Sequence, residues 1–396
     1  MRFAAATSTE RDAGDAAFDA MSRALAELGG QKARLAIVFA SASYADIDCV
    51  PVTLARQVGG IPVMGGTAAG AVFDGGRVVS RGVLVAVLGG DDVRVVTATA
   101  PIASPTLIDV VPAGARIRQA AEKAANEGFE QALCLGFAPS VGVDGDAFAA
   151  ALRKGAGAHM QLAGALTGDD FTFDRTRVFA DGASQASRVV MAGVFSRLPV
   201  AIAARHGCVP VGPVREVTRS DGPWLFDLDG RRAVDVWIAD VRSAGGSIAL
   251  TNPAEMAAAA ATWELGLETL EQPEALVRAP MAHRPDGSML LSAGIAEGSF
   301  VRLMHTTKER TLGAAQDAAS LAKMRLGQPA AGVLALSCAG RLISCGSRFR
   351  DEPRVISEVL EAPVAGSCVF GEIVRGVRDA DAFHNGTTVV VAFPAA

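Results

Sequence analysis

Apolar and polar positions along the chain repeat as one unit that occurs three times. Each copy consists of an apolar strand, a small-residue loop, a helix and a second apolar strand that ends in a glycine turn. The copies begin at Leu35, Ala132 and Val333. Because repeats of this kind bury their apolar faces against one another, we expect the turns at 65–70, 164–168 and 366–371 to occupy equivalent places.

Helical spacing of apolar residues predicts helices between and around these strands. One of them starts at an Asn252 cap and should run to residue 270. The strand–helix–strand order predicts parallel pairing, whereas 78–89 and 93–98, separated by a Gly-Gly-Asp-Asp turn, predict a hairpin. The sequence therefore predicts an α/β fold with a two-domain mixed-sheet architecture and helices packed outside. The other predicted helices cover 12–28, 51–58, 112–127, 146–152 and 311–326.

The clearest candidate for a domain boundary lies between residues 210 and 253. Turn signals cluster there, and no copy of the repeat spans that stretch. We therefore predict two domains, over 1–215 and 216–396. A length of 396 residues with 50% hydrophobic content is sufficient for two sizeable cores.

Charge and cysteine content narrow the classes of function. A formal net charge of -5, from 37 basic and 42 acidic residues, creates no field that would hold a phosphate backbone or anionic lipid, so we expect neither nucleic acid nor membrane as a partner. No apolar run reaches the roughly 20 residues of a membrane helix. The N-terminus lacks the basic start and apolar stretch of a signal peptide, which predicts a cytoplasmic protein. The six cysteines form no CxxC pair, which is typical of reduced, structural thiols.

The glycine turns are the first candidates for chemistry. Such a turn lets the main chain approach a ligand and present amides to an anion, although it serves equally well to reverse a crowded chain. None of the turns matches a nucleotide-binding glycine motif. Acids and hydroxyls close to the turns favour a site for an amino-acid-like ligand. The candidate ligand residues there are Gly66, Thr67, Gly70, Asp169, Asp170, Ser367 and Glu372.

Several motifs taken together resemble those of the FIST N and FIST C domains. The N-terminal half carries GGTAAG from Gly65 and HGCVPVG from His206, and the C-terminal half carries SCAGR from Ser337, GSCVFGEI from Gly366 and FHNGT from Phe383. The resemblance covers nearly the whole chain, with the motifs in the expected order. It implies a bacterial or archaeal sensory module that binds a small ligand, amino acids being the usual proposal.

The resemblance also bears on partners and on one turn. Since no output domain is recognisable in the sequence, we expect signalling to a separate protein such as a kinase or cyclase, and a homodimer is a further expectation. The first turn departs from the family pattern, because Gly70 is followed by Ala71 where similar proteins usually carry Glu. A carboxylate role at that turn is therefore not expected.

The histidines become candidates because some FIST proteins resemble nitric-oxide-sensing haemoproteins. His206 ends an apolar strand and precedes a glycine, and Arg205 beside it would pair with a propionate. The alternative to a metabolite sensor is thus a haem-based nitric oxide sensor, binding haem b with His206 on the iron. The competing interpretation of His206 is a residue that caps a strand end through hydrogen bonds.

Cys338 is the candidate for a nucleophile, since Arg341 lies close enough in sequence to stabilise a thiolate. No histidine is tied to Cys338 by sequence, and the resemblance implies no catalytic residues, so we do not expect an enzyme. We expect Arg341 instead to hold Glu372 or a ligand carboxylate through a bidentate contact. Cys338, Arg341 and Asn385 of FHNGT complete the candidate ligand residues.

Overall fold

The computed structural model describes residues 1–180, 182–268, 275–375 and 382–395. The strands are β1 (Arg2–Ser8), β2 (Ala33–Ser41), β3 (Val63–Ala68), β4 (Val72–Asp74), β5 (Arg77–Val79), β6 (Val83–Gly89), β7 (Val93–Pro101), β8 (Gln131–Pro139), β9 (Gln161–Thr167), β10 (Val178–Ala180), β11 (Ala183–Gln185), β12 (Arg188–Ser196), β13 (Ala201–Arg205), β14 (Val209–Asp221), β15 (Trp224–Leu228), β16 (Arg231–Arg232), β17 (Trp263–Leu267), β18 (Leu276–Arg278), β19 (Pro280–His283), β20 (Met289–Leu291), β21 (Phe300–His305), β22 (Ala330–Cys338), β23 (Val364–Val369), β24 (Glu372–Arg375), β25 (Ala382–His384) and β26 (Thr388–Pro394). The helices are α1 (Ala13–Glu27), α2 (Cys49–Val58), α3 (Val110–Asn126), α4 (Gly145–Ala156), α5 (Ala233–Ser243), α6 (Pro253–Ala260), α7 (Lys308–Leu326), α8 (Ala339–Cys345) and α9 (Asp351–Leu360), with a short 3-10 helix at Gly346–Arg350. In these ranges no helix is long and apolar enough to cross a membrane.

The three repeats form three sheets with the same topology. Their strand orders are β1-β6-β2-β3-β10-β11, β7-β12-β8-β9-β24-β25 and β13-β26-β22-β23-β4-β5. In each sheet the third and fourth strands run parallel, and every other neighbouring pair is antiparallel. The internal repetition of the sequence is therefore a repetition of whole sheets.

Each sheet is completed by a hairpin from another repeat. The β10-β11 hairpin of the second repeat joins the first sheet, β24-β25 of the third joins the second, and β4-β5 of the first joins the third. The exchange is cyclic, so each repeat both donates a hairpin and receives one. As a result, each of these three sheets combines strands from two of the repeats.

One central core and three outer cores hold the sheets. The central core takes side chains from all three sheets, and there Phe39 meets Phe137 edge to face at 5.3 Å between ring centroids. The outer faces are covered by helices, with α1 and α2 on the first sheet, α3 and α4 on the second, and α7 and α9 on the third. Because both faces of the inner strands are buried, these strands are almost wholly apolar, as the sequence shows.

A smaller unit spans residues 209–305, between the edge strand β13 and helix α7. Its strands follow the order β18-β17-β21-β14-β15-β20-β19, with β16 beside β15. Its own core includes Trp237 of α5 and Val301 of β21. We call this segment the small unit; it borders the third sheet at both of its ends.

The predicted α/β class, with mixed sheets and helices outside, is confirmed. Helices α1, α3 and α7 correspond closely to the predictions for 12–28, 112–127 and 311–326. The position of the predicted domain boundary, residue 215, lies within β14.

Two local predictions are wrong, and in both the cause is pairing with a distant strand. β6 and β7 do not form a hairpin, because β6 lies between β1 and β2 in the first sheet whereas β7 pairs with β12 in the second. The helix from Asn252 has the predicted cap but ends at Ala260, and the chain continues as β17, paired with β21. Strand pairing there overrides an alanine-rich helical pattern.

Candidate functional site

The three glycine turns meet at one end of the sheets, in what we call the turn junction. Gly65, Gly164 and Gly366 occupy equivalent positions, each beside the neighbouring parallel strand of its sheet. A Cβ at any of the three would overlap a main-chain carbonyl of that strand. These glycines are therefore required for the close approach of two strands.

A ring of main-chain hydrogen bonds joins the three turns. Each turn donates at least one amide to a carbonyl of another turn, from Gly168 to Thr67 (3.2 Å), from Ala69 to Cys368 (2.8 Å) and from Phe370 to Leu166 (3.0 Å). The hydroxyls are engaged locally as well, because Thr67 Oγ1 accepts from the Arg177 amide (2.9 Å) and Ser367 donates to the Cys368 carbonyl (2.8 Å). These groups hold the repeats to one another.

Asp169 organises the loop that follows the second turn. Its buried carboxylate accepts hydrogen bonds from four successive amides, 172–175, and from the Thr172 hydroxyl. Burial raises the pKa of Asp169, but these hydrogen bonds outweigh burial and leave the pKa below its ordinary value. Phe171 and Phe173 in this loop have φ of 64° and 57°, a region that few non-glycine residues adopt. Asp169 therefore stabilises a strained loop.

Arg341 is the centre of a second group of predicted residues. Its guanidinium and the Glu352 carboxylate form a buried ion pair, with 2.8 Å between Nη2 and Oε2. The same guanidinium donates to the carbonyls of His206 (3.3 Å), Gly386 (3.2 Å) and Thr311 (2.7 Å). Arg341 thus pairs with an acid on α9, and the expected pairing with Glu372 is wrong. Its role in the fold is to tie α7, α9 and two chain turns together.

Glu372 has an unusual position for a carboxylate. The strand register places it where the equivalent hairpins carry Val72 and Val178, which belong to the central core. Oε2 accepts a long hydrogen bond from the Thr387 amide (3.4 Å), and the Cys338 thiol also bonds to the carboxyl group. Burial raises the pKa of Glu372 well above its ordinary value, and the Thr387 amide and the charge of Arg341 oppose that rise.

The predicted site residues therefore separate into two groups. Asn385 belongs with Arg341, since the carbonyl of the next residue, Gly386, accepts from the Arg341 guanidinium. The Asn385 side-chain oxygen accepts from the Ser292 hydroxyl of the small unit at 2.9 Å. The turn junction contains Gly66, Thr67, Gly70, Asp169, Asp170 and Ser367. The group around Arg341 contains Arg205, His206, Cys338, Glu372 and Asn385.

A cleft of about 550 Å³ opens beside the second group. One wall is a face of α7 that carries Arg310, Gly313 and Asp317, and the opposite wall comes from Leu267 and Met304 of the small unit. A Cβ at Gly313 would meet no atom within 4 Å, so this glycine leaves the α7 wall open. The floor is formed by the segment 205–208. Size and mixed lining match those of small-molecule sites.

His206 lies in the floor and is nearly buried. Its Nδ1 accepts a hydrogen bond from the Cys208 amide at 2.9 Å. Burial, followed by the charges of His384 and Arg341, lowers the pKa of His206 to about 4, so the ring is neutral. Since Nδ1 is an acceptor, the ring proton must be on Nε2, and the ring also bonds to the main chain of Ala275.

This tautomer bears directly on haem. An iron ligand needs a ring nitrogen with a free lone pair, and the other nitrogen normally donates its proton to a carbonyl or carboxylate. In His206 the nitrogen with the lone pair, Nδ1, is already bonded to the Cys208 amide. As arranged here, His206 does not fit an iron ligand, and we derive no chemistry through haem.

Cys208 and Glu264 form a second feature of the floor. Cys208 is a buried residue that lines the cleft, and its thiol donates to Glu264 Oε2, with 3.6 Å between sulfur and oxygen. Glu264 is buried, and burial raises its pKa to about 7, although the bond from Cys208 and the charge of Arg341 oppose that rise. A carboxyl group of this pKa exchanges a proton readily at neutral pH.

Sequence reasoning missed both members of this pair. Cys208 belongs to the HGCVPVG motif, in which only the histidine attracted attention as a ligand. Glu264 was hidden because the stretch around it was predicted as helix, whereas it is strand β17. A correct assignment of β17 would have placed Glu264 in a short apolar strand, which is the signal for an inward-facing acid.

Comparison with known proteins identifies the class. The FIST N domain model matches residues 34–231 and the FIST C domain model matches residues 233–375. The chain therefore belongs to the FIST family, whose domains are sensory domains that bind small ligands. No curated protein matches. Among solved structures, cyanuric acid hydrolase from A. caulinodans aligns over 100% of this chain and 99% of its own at 10% identity and a TM-score of 0.34, a likeness too distant to support any argument.

Proposed function

We propose that this chain is a sensory module of the bacterial cytoplasm that binds a small amino-acid-like metabolite in the cleft. The cleft itself is the observation that carries the proposal, since its volume of about 550 Å³ suits a metabolite. The turn junction is less suited, because its amides and hydroxyls bond to neighbouring repeats. Binding without chemical turnover is the role we favour.

The charges around the cleft favour a ligand with both signs of charge. Arg205 and Arg310 line it and would attract a carboxylate, while Asp317 lines it from the same helix face as Arg310 and would attract an ammonium group. Arg310 and Asp317 are seven residues apart, which is roughly 10 Å along a helix. The lining thus offers opposite charges at separate places, as an amino-acid-like molecule requires.

The cleft also supports a route for the signal. Its walls belong to different parts of the chain, α7 on one side and the small unit on the other. A ligand that contacts both walls would favour one placement of the small unit over another. We propose that a separate partner, such as a kinase or a cyclase, reads that change, and that the module acts as a homodimer.

A ligand screen with a blocked cleft tests this proposal. Amino acids and related carboxylates would be tested by thermal shift and calorimetry on the wild type and on Gly313→Leu, which fills the α7 wall. The control is Ser320→Leu, at an exposed position of the same helix outside the cleft. A ligand at 100 times its Kd should stabilise the wild type and the control by about 2.7 kcal/mol and leave Gly313→Leu unchanged. Equal binding to both variants would contradict the proposal.

The haem alternative is decided by an absorption spectrum. Purified protein would be measured as isolated and after incubation with haem and desalting. The geometry of His206 leads us to expect no retained Soret band. A sharp, stoichiometric band that His206→Ala abolishes would instead establish the haem-based nitric oxide sensor.

A further inference from the structure

The floor of the cleft holds a thiol and a base in contact. Cys208 Sγ lies 3.6 Å from Glu264 Oε2, and Cys208 is one of the residues that line the cleft. Both side chains are fixed by the backbone on either side. Gly207, at φ 79°, packs against the Arg310 carbonyl, and the main chain at Gly386 packs against the Glu264 carboxylate. The contact is therefore set by rigid elements.

We propose that Cys208, with Glu264 as its base, is a covalent capture site for small α,β-unsaturated carbonyl compounds that enter the cleft. This inference rests on the proposed function, since the cleft must admit the ligand. The thiol proton passes to Glu264, and the thiolate adds to the β carbon of the ligand. A sulfur–carbon bond forms, the carbon–carbon π bond breaks, and the proton on Glu264 passes to the α carbon. No group leaves and no oxidant is needed.

Addition fits this site better than acyl transfer. Acyl transfer builds charge on a carbonyl oxygen, which requires hydrogen-bond donors aimed at it. The amide of Cys208, the donor closest to the sulfur along the chain, is bonded to His206 Nδ1. Addition to an α,β-unsaturated carbonyl spreads its negative charge over an enolate, which one returned proton neutralises, and it expels no group. The pair supplies both the nucleophile and that proton.

The same chain contains a natural control. Cys49 Sγ also lies close to a carboxylate, 3.4 Å from Asp46 Oδ2, and Cys49 is more exposed than Cys208. The two bases differ, however. Burial raises the pKa of Glu264 to about 7, whereas hydrogen bonds from main-chain amides outweigh burial and hold the pKa of Asp46 below its ordinary value. A thiol next to Asp46 therefore lacks an effective base near neutral pH.

Other charged groups face Cys208 and Glu264 and influence the pKa of each. Arg341 and Arg278 act on Glu264, and Glu264, Arg341 and Cys338 act on Cys208. Burial and then the charge of Glu264 raise the pKa of Cys208 well above its ordinary value, and the charge of Arg341 opposes that rise. The thiolate therefore forms only as its proton passes to Glu264.

The test is labelling with N-ethylmaleimide, followed by peptide mass spectrometry of every cysteine between pH 5.5 and 9. At pH 7.5 we expect Cys208 to react at least tenfold faster than Cys49, with a rate that rises through pH 7. Glu264→Gln should slow Cys208 by about 100-fold, within the usual range for loss of a general base, and leave Cys49 unchanged. Labelling of Cys208 no faster than Cys49 in the wild type would overturn the proposal, as would an unchanged rate in Glu264→Gln.

Two further measurements keep the outcomes separate. Rapid labelling of Cys134, a buried thiol, would show that the Glu264→Gln variant is unfolded. In that case the conservative Glu264→Asp variant and the wild-type pH profile decide whether Glu264 acts as the base. Gly313→Leu should slow Cys208 by filling the cleft. If the screen finds a ligand that Gly313→Leu abolishes while Cys208 stays unreactive, the capture site is refuted and the sensor stands. If Cys208 reacts equally fast in Gly313→Leu, the cleft is not the entry route and the capture site is refuted, whereas the ligand screen alone decides the sensor.

Discussion

Replacement of Arg341 by Met should destabilise the protein more than the same replacement at a surface arginine. Arg341 and Glu352 are 2% and 1% exposed, so the change leaves an acid buried without its cation. Within the described ranges, the Ser337 hydroxyl, 2.7 Å from Glu352 Oε1, is the partner that would remain for that carboxylate. Three main-chain carbonyls, including that of His206, also lose the hydrogen bond from Arg341.

The magnitude follows from the burial of the pair. Removing one partner of a buried ion pair costs about 3–5 kcal/mol, because the remaining charge is neither solvated nor paired. We expect a loss of that size in the free energy of unfolding of Arg341→Met. The double variant Arg341→Met with Glu352→Gln should be more stable than Arg341→Met alone, since it removes the uncompensated charge.

Urea unfolding followed by circular dichroism measures both variants. Arg348→Met is the matched control, because Arg348 is half exposed and pairs with Glu309 (3.1 Å) and Asp351 (3.4 Å) at the surface. Surface pairs of this kind contribute at most about 1 kcal/mol. A loss below 1 kcal/mol for Arg341→Met, or a double variant less stable than the single one, would refute the reasoning. Arg341→Met should also weaken ligand binding, since Arg341 anchors the His206 carbonyl in the cleft floor.

Three other predictions test separate parts of the structure. Because burial raises the pKa of Glu264 to about 7, the folded chain keeps a proton that the unfolded chain loses near pH 4.5, so the contribution of Glu264 to the unfolding free energy should fall by about 3 kcal/mol between those pH values. The lowered pKa of His206 acts in the opposite direction in both proteins, so the measurement is the difference between wild type and Glu264→Gln in urea titrations, which should change by about 3 kcal/mol over this range. Asp169→Asn should lower the free energy of unfolding by about 1–3 kcal/mol and speed hydrogen exchange in 169–175. Exchange as slow as in the wild type would contradict the role of Asp169 in stabilising this loop. Gly366→Ala should destabilise the protein by about 3 kcal/mol, because the added Cβ overlaps the adjacent strand, whereas Gly313→Ala should stabilise α7 by about 1 kcal/mol. Thermal melts that rank the two variants the other way would contradict both assignments.

Much of the fold could be predicted because it is encoded locally. The apolar runs of β2, β8 and β22 and the spacing in α1, α3 and α7 are properties of short segments, and these elements form as expected. The equivalence of the three turns was also visible in the sequence. Contact with the neighbouring strand requires glycine there, so the constraint is visible in the sequence as a glycine at each turn.

The candidate site was predicted less completely, for a physical reason. His206 and Arg341 were found because they lie in distinctive motifs, but the partner of Arg341 is Glu352, which has no motif of its own. Cys208 and Glu264 are 56 residues apart and meet because β21 pairs with both β14, which follows Cys208, and β17, which contains Glu264. Pair contacts of this range leave no periodic signal in one sequence.

The sequence by itself determined the repeated unit, its helices and strands, the family and the glycines of the turn junction, because each depends on residues close together in the chain. Only the tertiary structure decided which repeat completes which sheet, since the exchanged hairpins pair by distant register. It also decided the chemistry of the cleft. Burial and neighbouring charges lower the pKa of His206 and raise that of Glu264, and neither effect exists until distant segments exclude water from these groups.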